Sequence, residues 1–207
     1  MNRGRFVASL GAVLGAGVLL AGCTSLPKGS PGGVPAPPEH PIWYAGDSNA
    51  RTIAAWMTER PYNAAVDGAG FLPTVGGFDT IMDNTVDRLA DHTPEVMLVT
   101  GGINDFVFGN RTIAEVIDAA DAFEAEMTAR DIQVIWVAEP AWKAVGSNTF
   151  SDHLISTRPD TSIDCRAVKG ESLDQLHPSK PGPLARCVET ELALILQEPE
   201  PEPEPEP

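Results

Sequence analysis

Short apolar runs alternate with amphipathic helical patterns along most of this chain of 207 residues. Strands are expected at residues 42–45, 62–66, 96–99 and 132–137, with a short fifth strand at 162–164. The run at 96–99 is apolar throughout, which is typical of a strand buried on both faces. Repeated strand–helix alternation predicts a parallel sheet covered by helices. We therefore expect an α/β fold, a three-layer α/β/α sandwich with a parallel sheet of about five strands.

Helices are expected between these strands wherever apolar residues recur at helical spacing. The predicted helices cover residues 50–60, 78–89, 113–127 and 184–195. In the first of them, Ile53, Trp56 and Met57 have the spacing of an inward face. Residues 140–166 show no such spacing, and we expect them to be irregular apart from the short strand.

The first 22 residues carry two arginines, a short apolar run and then small residues before Cys23. This pattern is typical of an export signal. The sequence Leu20-Ala21-Gly22-Cys23 resembles the bacterial lipobox, which implies cleavage before Cys23 and lipid on its sulfur. An uncleaved membrane anchor is the alternative. In both cases we expect a protein attached to the cell membrane on its outer, extracytoplasmic face.

Composition divides the rest of the chain into three parts. Residues 23–40 are rich in Pro, Gly and Ser and predict a tether, whereas residues 41–197 have the size of one domain. Residues 198–207 alternate Glu and Pro, which predicts a disordered tail. Five of the 15 net negative charges are the tail glutamates, which leaves −10 elsewhere. Because nucleic-acid binding needs clustered basic residues, an acidic domain argues against it. We also expect the protein to be a monomer.

Three cysteines occur in the chain. If Cys23 carries lipid, Cys165 and Cys187 remain as a pair in a compartment that permits disulfides. A bridge between them would close a loop that contains Asp174 and His177. Two buried free thiols are the alternative.

Residues suited to acyl-transfer chemistry follow the predicted strands. They occur in four blocks: Gly46-Asp47-Ser48, then Gly68, then Gly102-Ile103-Asn104-Asp105, then Asp174-Gln175-Leu176-His177-Pro178. Their order and positions resemble the SGNH, or GDSL-type, hydrolase superfamily across essentially the whole folded part. The carboxyl ends of parallel strands share one edge of the sheet, where such folds bind ligands. The resemblance implies an SGNH-hydrolase, flavodoxin-like arrangement with the site at that edge.

Chemistry and resemblance together suggest a role for each residue. Ser48 would be the nucleophile, His177 the base, and Asp174 the carboxylate that orients the imidazole. The Asn104 side chain and the backbone N–H groups of Gly68 and Ser48 would form the oxyanion hole.

Simpler roles for the same residues remain open. Ser48 could serve only as a helix N-cap, and Asn104 with Asp105 could make only a turn. Gly70 is the alternative to Gly68, and Arg51 is either a solvated helix residue or a contact for a polar substrate. The remaining histidines lack the spacing of metal ligands, so we expect no metal and no cofactor. They are His40, His92 and His153.

The function expected from these residues is that of a serine esterase for small to medium acyl groups. Its substrate would be an ester of the cell envelope or a small-molecule ester. An acyltransferase or deacetylase acting on cell-wall polysaccharide would use the same residues, and a non-enzymatic binding lipoprotein is the third alternative. An α/β-hydrolase is excluded because Asp174 and His177 lie only three residues apart. Several aromatic residues are candidates for an acyl pocket: Phe71, Phe78, Phe106, Phe108 and Trp142.

Overall fold

The computed structural model describes residues 40–74, 77–90, 92–139, 145–168 and 177–197. Within these ranges the strands are β1 (Ile42–Gly46), β2 (Tyr62–Asn63), β3 (Val96–Thr100), β4 (Gln133–Ala138) and β5 (Ser162–Asp164). They form one parallel sheet in the spatial order β2-β1-β3-β4-β5. The predicted parallel sheet of about five strands is confirmed.

Helices connect the strands and cover both faces of the sheet. They are α1 (Ser48–Ala54), α2 (Ile81–Arg88), α3 (Ile103–Val107), α4 (Ile113–Thr128), α5 (Val145–Thr157) and α6 (Gly182–Ile195). A 3₁₀ turn, Pro159–Thr161, leads into β5.

Alternate residues along the strands face two separate apolar cores. On one face, Trp43 and Met97 pack with residues of α2, α4 and α5. On the other face, Tyr44 and Leu98 pack with residues of α1 and α6. The predicted three-layer α/β/α sandwich is therefore confirmed. All of β3 is buried, as the continuous apolar run at 96–99 predicts.

The first helix is shorter than predicted. α1 ends at Ala54 instead of continuing to residue 60. Beyond it, the N–H groups of Trp56 and Met57 donate to carbonyls three residues back, which tightens the chain into a 3₁₀-type turn. This turn buries Met57 but leaves Trp56 63% exposed, so the inward position predicted for Trp56 was wrong.

The region of β2 and α2 also differs in detail from the prediction. β2 covers only Tyr62–Asn63, although the N–H groups of Ala64 and Val66 still donate to β1 carbonyls at 2.9 Å. α2 begins at Ile81, after the N-cap Thr80, and Phe78 precedes it instead of lying within it. The cause is local: Thr80 and Asp83 form a capping box, which fixes the start of the helix.

The prediction that residues 140–166 are irregular was wrong, because α5 lies within them. Gly, Ser, Asn and Thr dominate the first turns of α5, and these residues have low intrinsic helix propensity. Core packing stabilises the helix despite this low propensity, because Phe150 and Leu154, one turn apart, are buried in the core against the sheet.

The two ends of the chain lie outside the described residues. These are the predicted export segment (1–22), nearly all of the predicted tether (23–39) and the Glu-Pro tail (198–207). Within the described part, no helix combines the length and the apolar character needed to cross a bilayer.

Candidate active site

Ser48 lies at the turn from β1 into α1, at the carboxyl end of the strand. Gly46 makes this turn possible. Its φ is +140°, and a Cβ there would lie 1.9 Å from the Thr100 carbonyl oxygen. Glycine alone tolerates both conditions. Asp47 is the N-cap of α1 and accepts a hydrogen bond from the Asn49 N–H at 2.8 Å. The cap is therefore Asp47, and the alternative role of Ser48 as N-cap does not hold.

The Ser48 side chain is paired with the predicted base. Its Oγ lies 2.7 Å from Nε2 of His177, a residue 129 positions away in the chain. His177 lies shortly before α6, at the same edge of the sheet as Ser48. Asp174, the predicted orienting carboxylate, falls in residues 169–176, which lie outside the described ranges.

A disulfide closes the segment that carries His177. Cys165 follows β5, Cys187 lies in α6, and their sulfur atoms are 2.08 Å apart. The structure thus contains the predicted bridge, and the alternative of two free thiols does not hold in it. Cross-linking a loop of this length contributes roughly 3 kcal/mol to stability in the chain-entropy account.

A hydrogen bond connects Asn104 to the loop that carries Gly68, and these two are the predicted oxyanion residues. Gly68 has φ +79°, a conformation that favours glycine. The Asn104 side chain donates from Nδ2 to the carbonyl oxygen of Ala69 at 2.8 Å. Asn104 is 6% exposed and lies in α3, directly after β3. The structure therefore brings the two predicted residues to the same edge of the sheet as Ser48.

Gly70, the alternative to Gly68, has a different task. A Cβ at Gly70 would lie 2.8 Å from the carboxylate of Asp105. That carboxylate accepts hydrogen bonds from the N–H groups of Phe71 and Leu72, both at 2.9 Å. Burial raises the pKa of Asp105, although these two hydrogen bonds lower it in part. Asp105 thus anchors the loop that carries Gly68, which is more than the turn considered from the sequence.

A largely buried acid at the end of β4 is a feature that the sequence analysis missed. Glu139 follows β4 directly, and its Oε1 accepts a hydrogen bond from Nδ2 of Asn49 at 2.8 Å. Burial, followed by the nearby charge of Asp47, raises the pKa of Glu139 well above its usual range. Burial also raises the pKa of Asp47, to about 7. The position of Glu139 after a strand was the available signal, because Ser48 and Asn104 share it.

Arg51 is not isolated on its helix. Its guanidinium lies 2.7 Å from the carboxylate of Asp67, and both side chains are 58% exposed. The pair joins α1 to the residue before Gly68, at the surface beside the candidate site. An ion pair this exposed contributes little to stability.

The aromatic residues considered for an acyl pocket separate into distinct groups. Phe71 is core, in ring contact with Phe123, Trp136 and Phe150. Phe78 is 49% exposed, and its ring would lie 3.1 Å from a Cβ on Gly68. Phe106 packs against Phe150, Phe108 is 46% exposed, and Trp142 is outside the described residues. Phe78 therefore lies against Gly68, one of the candidate oxyanion residues.

No set of three or more His, Cys, Asp or Glu residues with the arrangement of a metal site occurs in the described ranges. The histidines set aside from the sequence lie in different parts of the fold: His40 before β1, His92 before β3 and His153 in α5.

Comparison with known proteins identifies the fold. No protein-family model matches the chain, and no curated protein matches its sequence. A GDSL-like lipase from Bacteroides thetaiotaomicron matches in structure with a TM-score of 0.61 at 12% identity, covering 79% of this chain and 93% of that one. A carbohydrate esterase of family 3 from Talaromyces cellulolyticus matches with a TM-score of 0.58 at 15% identity, covering 74% and 97%.

A psychrotrophic esterase from a Pseudoalteromonas species, solved in a form inhibited by monoethylphosphonate, matches with a TM-score of 0.52 at 17% identity. The match covers 73% of this chain and 98% of that chain. At such identities the likeness concerns the fold. The chain has the fold of the SGNH, or GDSL-type, hydrolases, which confirms at that level the resemblance found in the sequence.

Proposed function

We propose that this protein is a serine hydrolase that cleaves carboxylic esters, with Ser48 as nucleophile and His177 as general base. The observation that carries the proposal is the 2.7 Å separation of Ser48 Oγ and His177 Nε2 at the carboxyl ends of the parallel strands. A nucleophile within hydrogen-bond reach of a base is the arrangement that activates a serine hydroxyl. The fold shared with GDSL-like lipases and esterases supports the same class of chemistry.

The reaction runs in two steps. Ser48 Oγ bonds to the ester carbonyl carbon while its proton passes to His177 Nε2. The carbon–oxygen bond to the alcohol then breaks, and the alcohol leaves with the proton held by His177. Water attacks the resulting acyl-serine in the second step, giving its proton to His177. The acid is released, and the proton returns to Ser48.

Negative charge develops on the carbonyl oxygen in each step, and donors must already be in place to stabilise it. We assign this role to the side-chain amide of Asn104 and to the backbone N–H groups of Gly68 and Ser48. The Nδ2–Ala69 hydrogen bond supports the assignment because it fixes the Asn104 amide against the Gly68 loop.

Asp174 completes the proposed triad. It lies three residues before His177 in the sequence, a spacing that allows its carboxylate to reach Nδ1 of the imidazole. Its role would be to hold the tautomer in which Nε2 accepts the Ser48 proton.

We propose small to medium acyl groups as the preferred substrates. The half-exposed ring of Phe78 against Gly68 supports an apolar acyl group, since it places an apolar surface beside the proposed oxyanion donor. The short connections after β1 and β3, where α1 and α3 begin almost at once, leave little chain to cover a long acyl group and support the limit on its size. The lipobox-like sequence before Cys23 supports a lipid-anchored enzyme that meets esters of the cell envelope, such as acylated wall polysaccharide.

Hydrolysis of p-nitrophenyl acetate, butyrate and octanoate tests the proposal. We expect the acetate and butyrate esters to be cleaved with higher kcat/KM than the octanoate. His177→Ala should abolish activity, whereas the matched variant His153→Ala in α5 should retain it. A preference for octanoate would contradict the proposed substrate size. Acylated sugar in place of free acid, when a sugar acceptor is added, would indicate an acyltransferase instead.

A further inference from the structure

Two carboxyl groups lie on either side of Asn49, beside the candidate nucleophile. Asn49 donates from its main-chain nitrogen to Asp47 Oδ1 and from Nδ2 to Glu139 Oε1, in both cases at 2.8 Å. Asp47 and Asn49 flank Ser48 in the sequence, and neither has any exposed surface. Glu139, from the end of β4, is thereby connected to the turn that presents Ser48.

Both carboxyl groups have a second oxygen that needs explanation. Asp47 Oδ2 and Glu139 Oε2 are buried and accept no hydrogen bond from the described residues. An ionised carboxylate with an unpaired buried oxygen is unfavourable, whereas a neutral carboxyl group carries its own donor there. Two such groups in one buried region favour a state in which at least one is neutral.

The surrounding charges favour the neutral form of Glu139 in particular. Two titratable groups interact with it. The charge of Asp47 opposes a second negative charge on Glu139, and Tyr44 of β1 cannot carry a positive charge. Asp47 itself interacts with His177, which favours its charged form, and with Asp105, which opposes it. The base of the proposed triad therefore favours the charged form of Asp47, whose charge in turn opposes ionisation of Glu139.

Glu139 also borders a small cavity beside β4. Glu139 lines a cavity of about 10 Å³ together with Trp136 and Ser147. All three residues have a buried polar atom without a hydrogen-bond partner among the described residues: Glu139 Oε2, Trp136 Nε1 and Ser147 Oγ. Among the described residues that line the cavity none is positively charged, so an ionised Glu139 would have no counter-ion there.

We propose that Glu139 is a positioning residue that, as a neutral carboxylic acid, holds the Asn49 side chain and thereby keeps Ser48 in line with His177. Glu139 acts through Asn49 and touches no substrate. The inference rests on the proposed function, because it assigns Glu139 to the same Ser48 chemistry. It predicts that an amide can replace the acid, since Gln presents the same acceptor to Asn49 and carries no charge.

The test compares Glu139→Gln and Glu139→Leu in the full chain, with Glu95→Gln as the matched control at the opposite end of the sheet. We expect Gln to keep kcat within about threefold and Leu to lower it by about 10–100-fold with little change in KM, the size of effect that misplacement of a reacting group produces. Wild-type activity should fall at alkaline pH as Glu139 ionises, and this limb should be absent in Glu139→Gln.

Each other outcome has a definite meaning. A Gln variant as impaired as Leu, a folded Leu variant with wild-type kcat, or an alkaline limb that persists in Glu139→Gln would overturn the inference. If Glu139→Leu does not fold, the pH profiles of wild type and Glu139→Gln still test the role of Glu139. Labelling of Ser48 by a fluorophosphonate separates the two levels. If wild type is labelled and active, the proposed function stands whatever the Glu139 variants show. If wild type is neither labelled nor active, both the proposed function and the role of Glu139 are overturned.

Discussion

The carbonyl oxygen of Thr100, the last residue of β3, occupies the space that a side chain on Gly46 would need. A Cβ at Gly46 would lie 1.9 Å from it, and Gly46 has φ +140°. The N–H of Asp47 donates to the same oxygen at 3.3 Å. Close approach of the two parallel strands thus depends on a glycine immediately before the Asp47-Ser48 turn.

Gly46→Ala is therefore expected to lower both stability and activity. The added methyl must displace backbone, so we expect a loss in the upper range for single substitutions, about 3 kcal/mol or more. Gly77→Ala is the matched control, because Gly77 also has positive φ (+70°) but has open space around it. That variant should lose only about 1 kcal/mol through backbone strain. Urea unfolding measures both, and equal losses would contradict the steric account.

Asp105→Ala should damage the loop that carries Gly68. It removes the acceptor of the buried N–H of Phe71 and of the partly buried N–H of Leu72. Leaving the buried N–H of Phe71 unsatisfied costs about 1–3 kcal/mol, and the loss at Leu72 adds to this. The exposed Asp79→Ala is the control for loss of an aspartate. Thermal unfolding should show a clear drop for Asp105→Ala alone, and a drop of equal size in both variants would argue against the anchoring role.

Reduction of the Cys165–Cys187 bridge should lower stability by roughly 3 kcal/mol. Because the bridge closes the segment that contains His177, esterase activity should be lost at lower urea concentration in the reduced protein. A Cys165→Ser/Cys187→Ser double variant should reproduce the effect, and reductant should then do nothing further. Thiol counting on the unfolded, unreduced protein provides the check. Two reactive thiols from this pair would contradict the bridge.

Asp47, buried in the turn that presents Ser48, makes the stability of the protein depend on pH. Burial raises the pKa of Asp47 from 3.8 to about 7, so the folded protein binds a proton that the unfolded chain has released over that interval. Stability from this group is complete below about pH 4 and is lost as pH rises through 7. Glu139, with its pKa also raised, acts in the same direction.

Asp47→Asn should flatten this pH dependence while still capping α1, since Asn is also a good N-cap. Unfolding by urea at pH 5 and pH 8 measures it. The loss of stability between the two values should be smaller in Asp47→Asn than in wild type, and Asp87→Asn, exposed on α2, should behave as wild type. An unchanged pH dependence in Asp47→Asn would contradict the assignment.

The sequence predicted the sheet well because its central strands β1, β3 and β4 are almost wholly buried, and continuous apolar runs such as 96–99 have few alternative structures. It failed where packing outweighs local preference. α5 has weak helix formers and is stabilised by Phe150 and Leu154, which touch residues distant in the chain. Trp56 was misplaced because the apolar spacing continues past the turn that ends α1.

The candidate site was predictable to the extent that it follows strand ends. Ser48, Gly68 and Asn104 each come after a strand, and His177 lies within a block that carries its own acid. Glu139 and the anchoring role of Asp105 were missed because both depend on contacts between segments far apart in sequence, with Asn49 and with the N–H groups of Phe71 and Leu72. The position of Glu139 after a strand marks it as a candidate, but no local pattern reports these contacts.

The central claim is that Ser48 is the nucleophile, and its most direct test is covalent. Wild type and Ser48→Ala, with Ser156→Ala as control, are incubated with a fluorophosphonate and assayed on p-nitrophenyl butyrate, and the modified peptide is mapped by mass spectrometry. We expect one phosphonyl group on Ser48 in wild type and Ser156→Ala, and a fall in kcat of about 10⁴ or more in Ser48→Ala. Modification of a different residue, or hydrolysis retained by a folded Ser48→Ala, would contradict the account.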